Sequence, residues 1–467
     1  MGALLEDLLE NVLNSVLQPE IDFMDIRIFQ KNTTTIRVET GRISKLVNSS
    51  YSGAGVRVFS DGCWGHASTN FIDENNLIKT ANIARKIAKS LTFKTSNEQS
   101  KLPSIHPIKE KTEIKVKTHP RDVSLEEKAK SVFELEKVAR TFDPRIVNTI
   151  FDYQDAIIQE LVVNSWSTAS STLIYTQLKG RVTAKEMDLR EKGFSTVGKT
   201  QGFEVVEQID PEEFSIEAAR KAVSKLSAKT PKAGKSVVIL DPRLTGLFAH
   251  ECFGHAAEAD AVIESASILE DMLGKQIASP DVTIVDDPTI PGSFGFFRTD
   301  SEGTVARRKE LLVDGILNEY LHTLETAAKL NLPPNGSARA SSHHTPPLAR
   351  MSSIYIQPRD HTFEDLIEGV TGIYLQGAEF GHVDPATGEF LFKAEQGWNV
   401  ENGEIKEQLR GIALSGSTLE TLRNIEAIGR DLILVGPGHC GKRGQLVPVD
   451  DGGPHIRVKD VIVGGLQ

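Results

Sequence analysis

Cysteine is scarce in this chain of 467 residues: Cys63, Cys252 and Cys440 are its three. Thiols so few and so far apart make no disulfide framework, and a reducing cytoplasm is their simplest setting. Long apolar runs are missing as well. No stretch is apolar for long enough to span a bilayer, so no membrane association is expected. Residues 3–17 come nearest, but Glu6, Asp7 and Glu10 break the run and no basic segment precedes it, unlike a signal peptide. Leu5, Leu8, Val12 and Val16 fit one face of an amphipathic helix instead. Positive charge is not in surplus either. The net charge of -11 argues against general binding to nucleic acid, whose phosphates need a basic surface. Short-period repeats and low-complexity tracts are absent. No Gly-x-Ser-x-Gly elbow with a matched histidine stands out, which argues against serine catalysis.

What is present is an ordinary composition, 39% hydrophobic and 25% charged, in a chain long enough for two or three full cores. Residues 1–92 read as a small α/β unit. After the first helix, 26–30 and 34–39 are predicted as two strands about a polar turn. Residues 52–59 and 63–68 form a hairpin across Ser60-Asp61-Gly62, and 73–89 a helix. Residues 93–125 are lysine-rich and broken by Pro103, Pro107 and Pro120, as in a linker carrying exposed histidines, His106 and His119. Within 93–230, the periodicity then predicts a helix over 125–141, a twisted antiparallel sheet over 145–206 and a closing helix over 211–226. The clearest boundary is 228–235, with Pro231 and Gly234. From 231 to 467 strands alternate with turns, Cys440 lies among glycines, and 362–371 and 418–428 read as helices. Separate strands are predicted over 388–396 and 397–402. The predicted class is α+β: N-terminal α/β units with an antiparallel sheet, then a large β-rich domain.

One stretch of that last region carries chemistry: His250-Glu251-Cys252-Phe253-Gly254-His255. Imidazole suits divalent transition metals, zinc above all, and a glutamate beside such a metal can take a proton from water. Zinc-protease helices space their histidines four apart, so that both face one side. Here the spacing is five, and in a regular α-helix the rings would stand about 140° apart. A π-turn, bonded i→i+5, brings them nearly into line, and Gly254 makes the irregularity cheap. The element is launched from an apolar strand at 237–240, with Asp241 as N-cap and Pro242 in the first helical position. Leu247, Phe248, Ala256 and Ala257 are its predicted core contacts.

Catalytic zinc takes three protein ligands and leaves one position open. Two residues qualify as the third. Glu258 lies three after His255, on the same side of a regular helix. Cys440 sits in GPGHCGKRGQ, where glycines allow close approach and Lys442 and Arg443 favour a thiolate. Residue chemistry puts Cys440 a little ahead. Cys252 points away from at least one histidine in any helical arrangement, and Cys63, beside Trp64, reads as a small buried residue. His343, His344 and His382 suit surface or substrate contacts better than a metal. Each feature has a plain reading too. Two histidines five apart arise by chance, Glu251 alone is a solvated helix charge, and Cys440 alone is an inert residue in a glycine turn.

Further segments accompany the motif in order: HECFGHAAEAD at 250–260, DSEGTVARRKELLVDGILNEYL at 300–321, ARMSSIYIQP at 349–358, GIYLQGAEFGHVDPATGEF at 372–390 and GHCGKRGQLVPVDDGGPHIRVKDVIVGG at 438–465. On these the chain resembles the TldD/PmbA family of metallopeptidases, most clearly over 25–90 and 230–467. The five-residue histidine spacing is that family's mark. PmbA-like (TldE-like) partner subunits typically lack it, so the resemblance is to the TldD-like catalytic subunit. It implies that His250, His255 and Cys440 bind one zinc ion per chain and that Glu251 is the general base. It also implies small or unfolded peptides as substrates, and a homodimer or a heterodimer with a PmbA/TldE-like subunit. The chain departs from the family's pattern at GAEFGHVD, where consecutive glycines are expected before Val383, and at His455, where a smaller hydroxyl residue is expected. Glu379, Phe380 and His382 thereby bear on a substrate groove.

The resulting expectation is zinc-dependent peptide hydrolysis, Glu251 carrying a proton from water to the leaving amine. Arg298, Arg350, His343 and His344 are unranked candidates for the oxyanion, beside backbone donors at 292–295 and 436–444. Two other readings stand next to it. One is a non-catalytic structural or binding subunit with a vestigial metal site, which has no need of Glu251. The other is a zinc amidohydrolase acting on a small non-peptide substrate.

Overall fold

The computed structural model describes residues 3–91, 101–103, 105 and 107–465, so His106 and part of the predicted linker lie outside the described residues. Segments from both sides of that linker feed one sheet. Its strands are β1 (Phe23–Glu39), β2 (Arg42–Ser60), β3 (Cys63–Thr69), β4 (Ile108–Glu113), β5 (Ile146–Asn164), β6 (Ser167–Glu186) and β7 (Leu189–Lys199). The order is β3-β2-β1-β5-β6-β4, with β7 also paired to β6. The two strands predicted about a polar turn are one. Lys31, Asn32 and Thr33 pair with Tyr51, Ser50 and Ser49 on one side and with Ile158, Ile157 and Ala156 on the other. Their polarity reflects a half-open face, and β-branched threonines suit a pleat. The predicted hairpin does form, its two-residue turn using positive φ at Asp61 and Gly62. The predicted linker contributes β4, parallel to the start of β6. Glu204–Glu207 is a helical turn rather than strand, because the Glu204 carboxylate turns back to accept the amides of Lys117 and Thr118.

Helices cover one face of this sheet. Ala3–Val16 and Glu74–Leu91 pack on Ile26, Ile28, Val56 and Val58; Leu125–Thr141 and Pro211–Ser224 pack on Ile36, Val38, Phe151 and Tyr153. Alternation sends Leu173 and Tyr175 to the other face, where they meet Phe294, Phe296 and Phe297 of the C-terminal region. A buried charge cluster crosses the same junction. Arg57 donates from Nε to Asp25 at 3.0 Å and from Nη1 to Glu302 at 2.8 Å, and it lies 4.5 Å from the Trp64 ring centroid.

Besides a two-stranded ribbon of Ala338–Arg339 and Leu348–Ala349, the C-terminal region has two seven-stranded sheets among the described residues. In one, strands Gly234–Leu240 (β8), Ile456–Gly465, Ile412–Ser417, Glu389–Glu401 and Gly372–Val383 pair in that order, and the last pairs back to β8, closing a barrel. The other runs through Lys309–Val313, Ile284–Asp286, Ser353–Ile356 and Gln445–Gly453. Three expectations change here. Glu389–Glu401 is one strand where two were predicted, since it pairs with Gly372–Val383 along its length. The helix predicted over 418–428 stops at Arg423, and Ile425–Ile428 is a strand bonded to Ile456–Val458. Cys440 lies on a strand, Gly438–Lys442, and not in a turn. The class is α+β, with a β-rich C-terminal part, as expected.

Candidate metal centre

β8 runs straight into the helix Pro242–Phe248. Asp241 caps it, accepting the Leu244 amide at 2.9 Å with Oδ1, while Oδ2 accepts the Gly377 amide at 2.9 Å and ties the helix to a barrel strand. The next six residues, Ala249–Gly254, wind into a π-turn, and the His255 amide donates to the His250 carbonyl at 3.2 Å. Packing enforces that local widening. Cys252 and Phe253 are buried, and a Cβ on Gly254 would stand 2.0 Å from the Met351 sulfur. The His250 and His255 rings consequently lie 5.2 Å apart, nearly perpendicular at 86°. A regular helix would splay them.

Cys440 arrives from the hairpin of Gly438–Lys442 and Gln445–Gly453, opposite Val447. Arg350, fully buried, fixes its backbone by donating from Nη2 to the Cys440 carbonyl at 2.5 Å. The thiol stands 3.3 Å from His255 Nε2. One donor atom from each of His250, His255 and Cys440 lies within 4.8 Å of the others. Cys252 is turned away toward Thr418, and burial pushes its thiol well up.

The electrostatics suit a thiolate. Burial pushes Cys440 up, but His250 and His255 outweigh it and hold the thiol at about 4. Burial alone would lower both imidazoles; Cys440 raises His250, and Glu258 with Cys440 raises His255. Lys442 and Arg443 are not the cause, contrary to the sequence reading. Lys442 Nζ reaches Glu258 at 2.9 Å and Asp260 at 2.7 Å, while Arg443 reaches Glu264. Glu258, the alternative third donor, stands behind His255, its Oε2 3.0 Å from Nδ1. Burial raises this carboxyl, yet His255 and Lys442 bring it down to about 2. A carboxylate on the far nitrogen of an imidazole fixes its tautomer and orientation.

The donor set fits a metal ion. Two imidazoles and one thiolate make a borderline-soft set of the kind zinc takes. The His250 Nδ1 atom is buried with no hydrogen-bond partner among the described residues. Glu251, next in sequence, is part-exposed beside the set. The remaining candidates are placed elsewhere. His343 Nε2 is 2.8 Å from Asn70 and His344 Nδ1 is 3.0 Å from Ser68, both at the junction with the first sheet. Arg350 is spent on Cys440 and Glu258, and Arg298 is exposed. Glu379 bridges Lys225 at 3.2 Å and Lys393 at 2.6 Å, and His455 is held by Asp431 and Tyr374. Phe380 is exposed. The sequence singles out Glu258, Lys442 and Arg350 for other roles; how Lys442 and Arg350 hold Glu258 carries no sequence signal, because both lie far from it along the chain.

Fold and site together define an α+β protein in which a widened helical turn and a distant hairpin bring a His-His-Cys set together. Residues 24–88, 118–226 and 233–465 match, in turn, PmbA/TldA metallopeptidase domain 1, the central domain and the C-terminal domain. A metalloprotease of Methanothermobacter thermautotrophicus is 37% identical, with 98% of this chain and 99% of that one covered. A zinc metalloprotease TldD homolog of Saccharolobus solfataricus is 32% identical, over 95% and 96%. The chain belongs to the TldD/PmbA metallopeptidase family. Among solved structures, TldE from Thermococcus kodakarensis superimposes at a TM-score of 0.77 with 18% identity, covering 98% of this chain and 100% of that one. A Thermotoga maritima protein, named as a candidate modulator of a DNA gyrase, does so at 0.80 with 23% identity, over 98% and 99%. At those identities the likeness is one of fold. Among the described residues, no helix is long and apolar enough to cross a membrane.

Proposed function

We propose that the chain is a zinc-dependent peptidase whose metal is held by His250, His255 and Cys440. The observation that carries this reading is the convergence of those three donors within 4.8 Å beside Glu251. Bound there, zinc would supply Lewis acidity for a water molecule and a scissile carbonyl. Glu251 would take the water proton and return it to the leaving amine. Glu258 holds His255 from behind, and Lys442 and Arg350 balance its charge. The part-exposed setting of Glu251 suits a group that must meet water. The substrates would be small or unfolded peptides, and the working assembly a homodimer or a pair with a TldE-like subunit. Metal analysis with hydrolysis of an unstructured peptide tests the proposal, run alone and with such a subunit. Zinc near one per chain, kept in Glu251→Gln while hydrolysis is lost, is the expected result. Full activity in a metal-free, folded chain sinks it.

A further inference from the structure

The helical segment that carries the two histidines is sheathed by the rest of the protein except along one line. From Pro242 to His255, four residues are not buried: Arg243, Leu247, Glu251 and His255. They recur every four residues, so each is the surface neighbour of the next. A regular α-helix drifts about 40° over each such step, and the wider π-turn brings His255 back toward the line. Leu247, predicted as a core contact, is therefore part-exposed, one turn from Glu251.

Two strands flank this line. A Cβ on Gly381 would stand 2.9 Å from both Leu247 methyl carbons, so the strand Gly372–Val383 lies against that side chain. On the other flank, a Cβ on Gly246 would stand 2.5 Å from the Gly452 amide nitrogen, which brings the strand Gln445–Gly453 into contact. Within GAEFGHVD, where the chain departs from the family's pattern, Gly381 thus meets the metal helix while Glu379 is held by lysines.

The two ends of the line are occupied. Past His255 the hairpin tip is tied down, Lys442 to Glu258 and Asp260 and Arg443 to Glu264. At the other end Arg243 donates from Nη2 to the Val435 carbonyl at 3.1 Å. His250 and Cys440 are themselves buried, at 4% and 3% exposure. A substrate that reaches these donors along the helix therefore comes over the exposed line. Between Glu251 and Arg243 it has about 12 Å, the length of three to four extended residues. The first helix side chain beyond Glu251 on that path is Leu247.

We propose that the substrate chain lies along this line toward Arg243, and that Leu247 selects an aliphatic or aromatic side chain in the residue next to the scissile bond. The proposal rests on the peptidase reading and adds a side-chain preference to it. A half-buried leucine gains from a neighbour that completes its removal from water, and glycine or a charged residue cannot supply that.

The test uses unstructured glycine-serine peptides with one Leu, Phe, Gly or Asp at a single position, their products read by mass spectrometry. Zinc-loaded protein should cut beside Leu or Phe, with kcat/KM about tenfold above the Gly peptide, and Asp should do no better than Gly. Leu247→Ala should bring the Leu-to-Gly ratio close to one, and Leu247→Met should restore it, with zinc near one per chain in both. Cuts placed without regard to the apolar residue overturn the contact, as does a loss in Leu247→Ala shared equally by the Leu and Gly peptides. If no peptide is hydrolysed, the peptidase reading fails separately. Fluorescence anisotropy of the labelled peptides on zinc-loaded Glu251→Gln then decides. Tighter binding of the Leu peptide that is removed by adding Leu247→Ala supports the contact, and equal Kd values overturn it.

Discussion

Two of the buried clusters of charge in this molecule differ in how fully the protein answers them. At the junction of the first sheet with the C-terminal region, Arg57 is saturated by Asp25 and Glu302, and the second Glu302 oxygen accepts the Leu324 amide at 2.7 Å. Arg57, Asp25 and Glu302 keep no buried polar atom without a partner among the described residues. At the π-turn, donor atoms of His250, His255 and Cys440 converge, and His250 Nδ1 has no hydrogen-bond partner among the described residues. Close approach of three donors gains little from apolar contact. A self-contained cluster holds structure; one that is complete only with a cation is built to bind it. The largest expected effect follows. Cys440→Ser should drop zinc from about one per chain to near none and abolish hydrolysis, with near-native circular dichroism, because a structural or catalytic zinc needs its thiolate. Full zinc occupancy in that variant would break the contrast.

The junction should respond in the opposite way. Arg57→Met strands Asp25 and Glu302 without a countercharge, so unfolding free energy should fall by about 3–5 kcal/mol. Zinc per folded chain should stay unchanged. Denaturant titration with metal analysis reads both. Loss of zinc in parallel with stability would mean the clusters are coupled and the comparison is wrong.

The two clusters were also unequally legible in the sequence. The spacing of His250 and His255 predicts a π-turn once both are required on one side, and Gly254 marks where it can form. Cys440 is reachable by residue chemistry, though its strand is not. The glycines around it, read as allowing close approach, lie on and beside a hairpin strand. The junction is invisible in sequence, since Asp25, Arg57 and Glu302 lie in segments with no shared pattern. Local signals served the fold in the same way. Asp61-Gly62 fixes its turn through backbone conformation, and Asp241-Pro242 its cap through the Asp241 carboxylate and the proline's fixed φ. Polar strand residues such as Asn32 and Thr33 mimic a turn, because only their neighbours in the sheet reveal the pleat.

Between the extremes lies Glu258, which serves the metal cluster while itself paired with Lys442 and Arg350. Glu258→Gln keeps a hydrogen-bond acceptor for His255 but loses the charge that Lys442 and Arg350 balance. Zinc affinity should weaken by about 10–100-fold, read by competition with a chelator. The pH dependence has a definite sign. The folded-state pKa is depressed to about 2 from an ordinary 4.5, so the charge stabilises fully above about 4.5. That contribution is lost as pH falls toward 2. The stability gap between wild type and variant should therefore close across that window in acid titrations. A gap that widens on acidification would place the carboxylate's role elsewhere.

The smallest effect belongs one residue beyond Lys442. Arg443 meets Glu264 through Nη2 at 2.5 and 2.6 Å, geometry as short as any at the metal centre. Yet the two side chains are 52% and 54% exposed, so water competes for both and little is gained by pairing them. Arg443→Ala should leave stability within about 0.5 kcal/mol and zinc affinity unaltered. Lys442→Ala removes a cation from the same hairpin tip, but it uncovers Glu258, which is 1% exposed, and should weaken zinc as Glu258→Gln does. If the two alanine variants behave alike, nearness to the metal governs these charges. If only Lys442 matters, burial and satisfaction do, as the contrast between the two clusters requires.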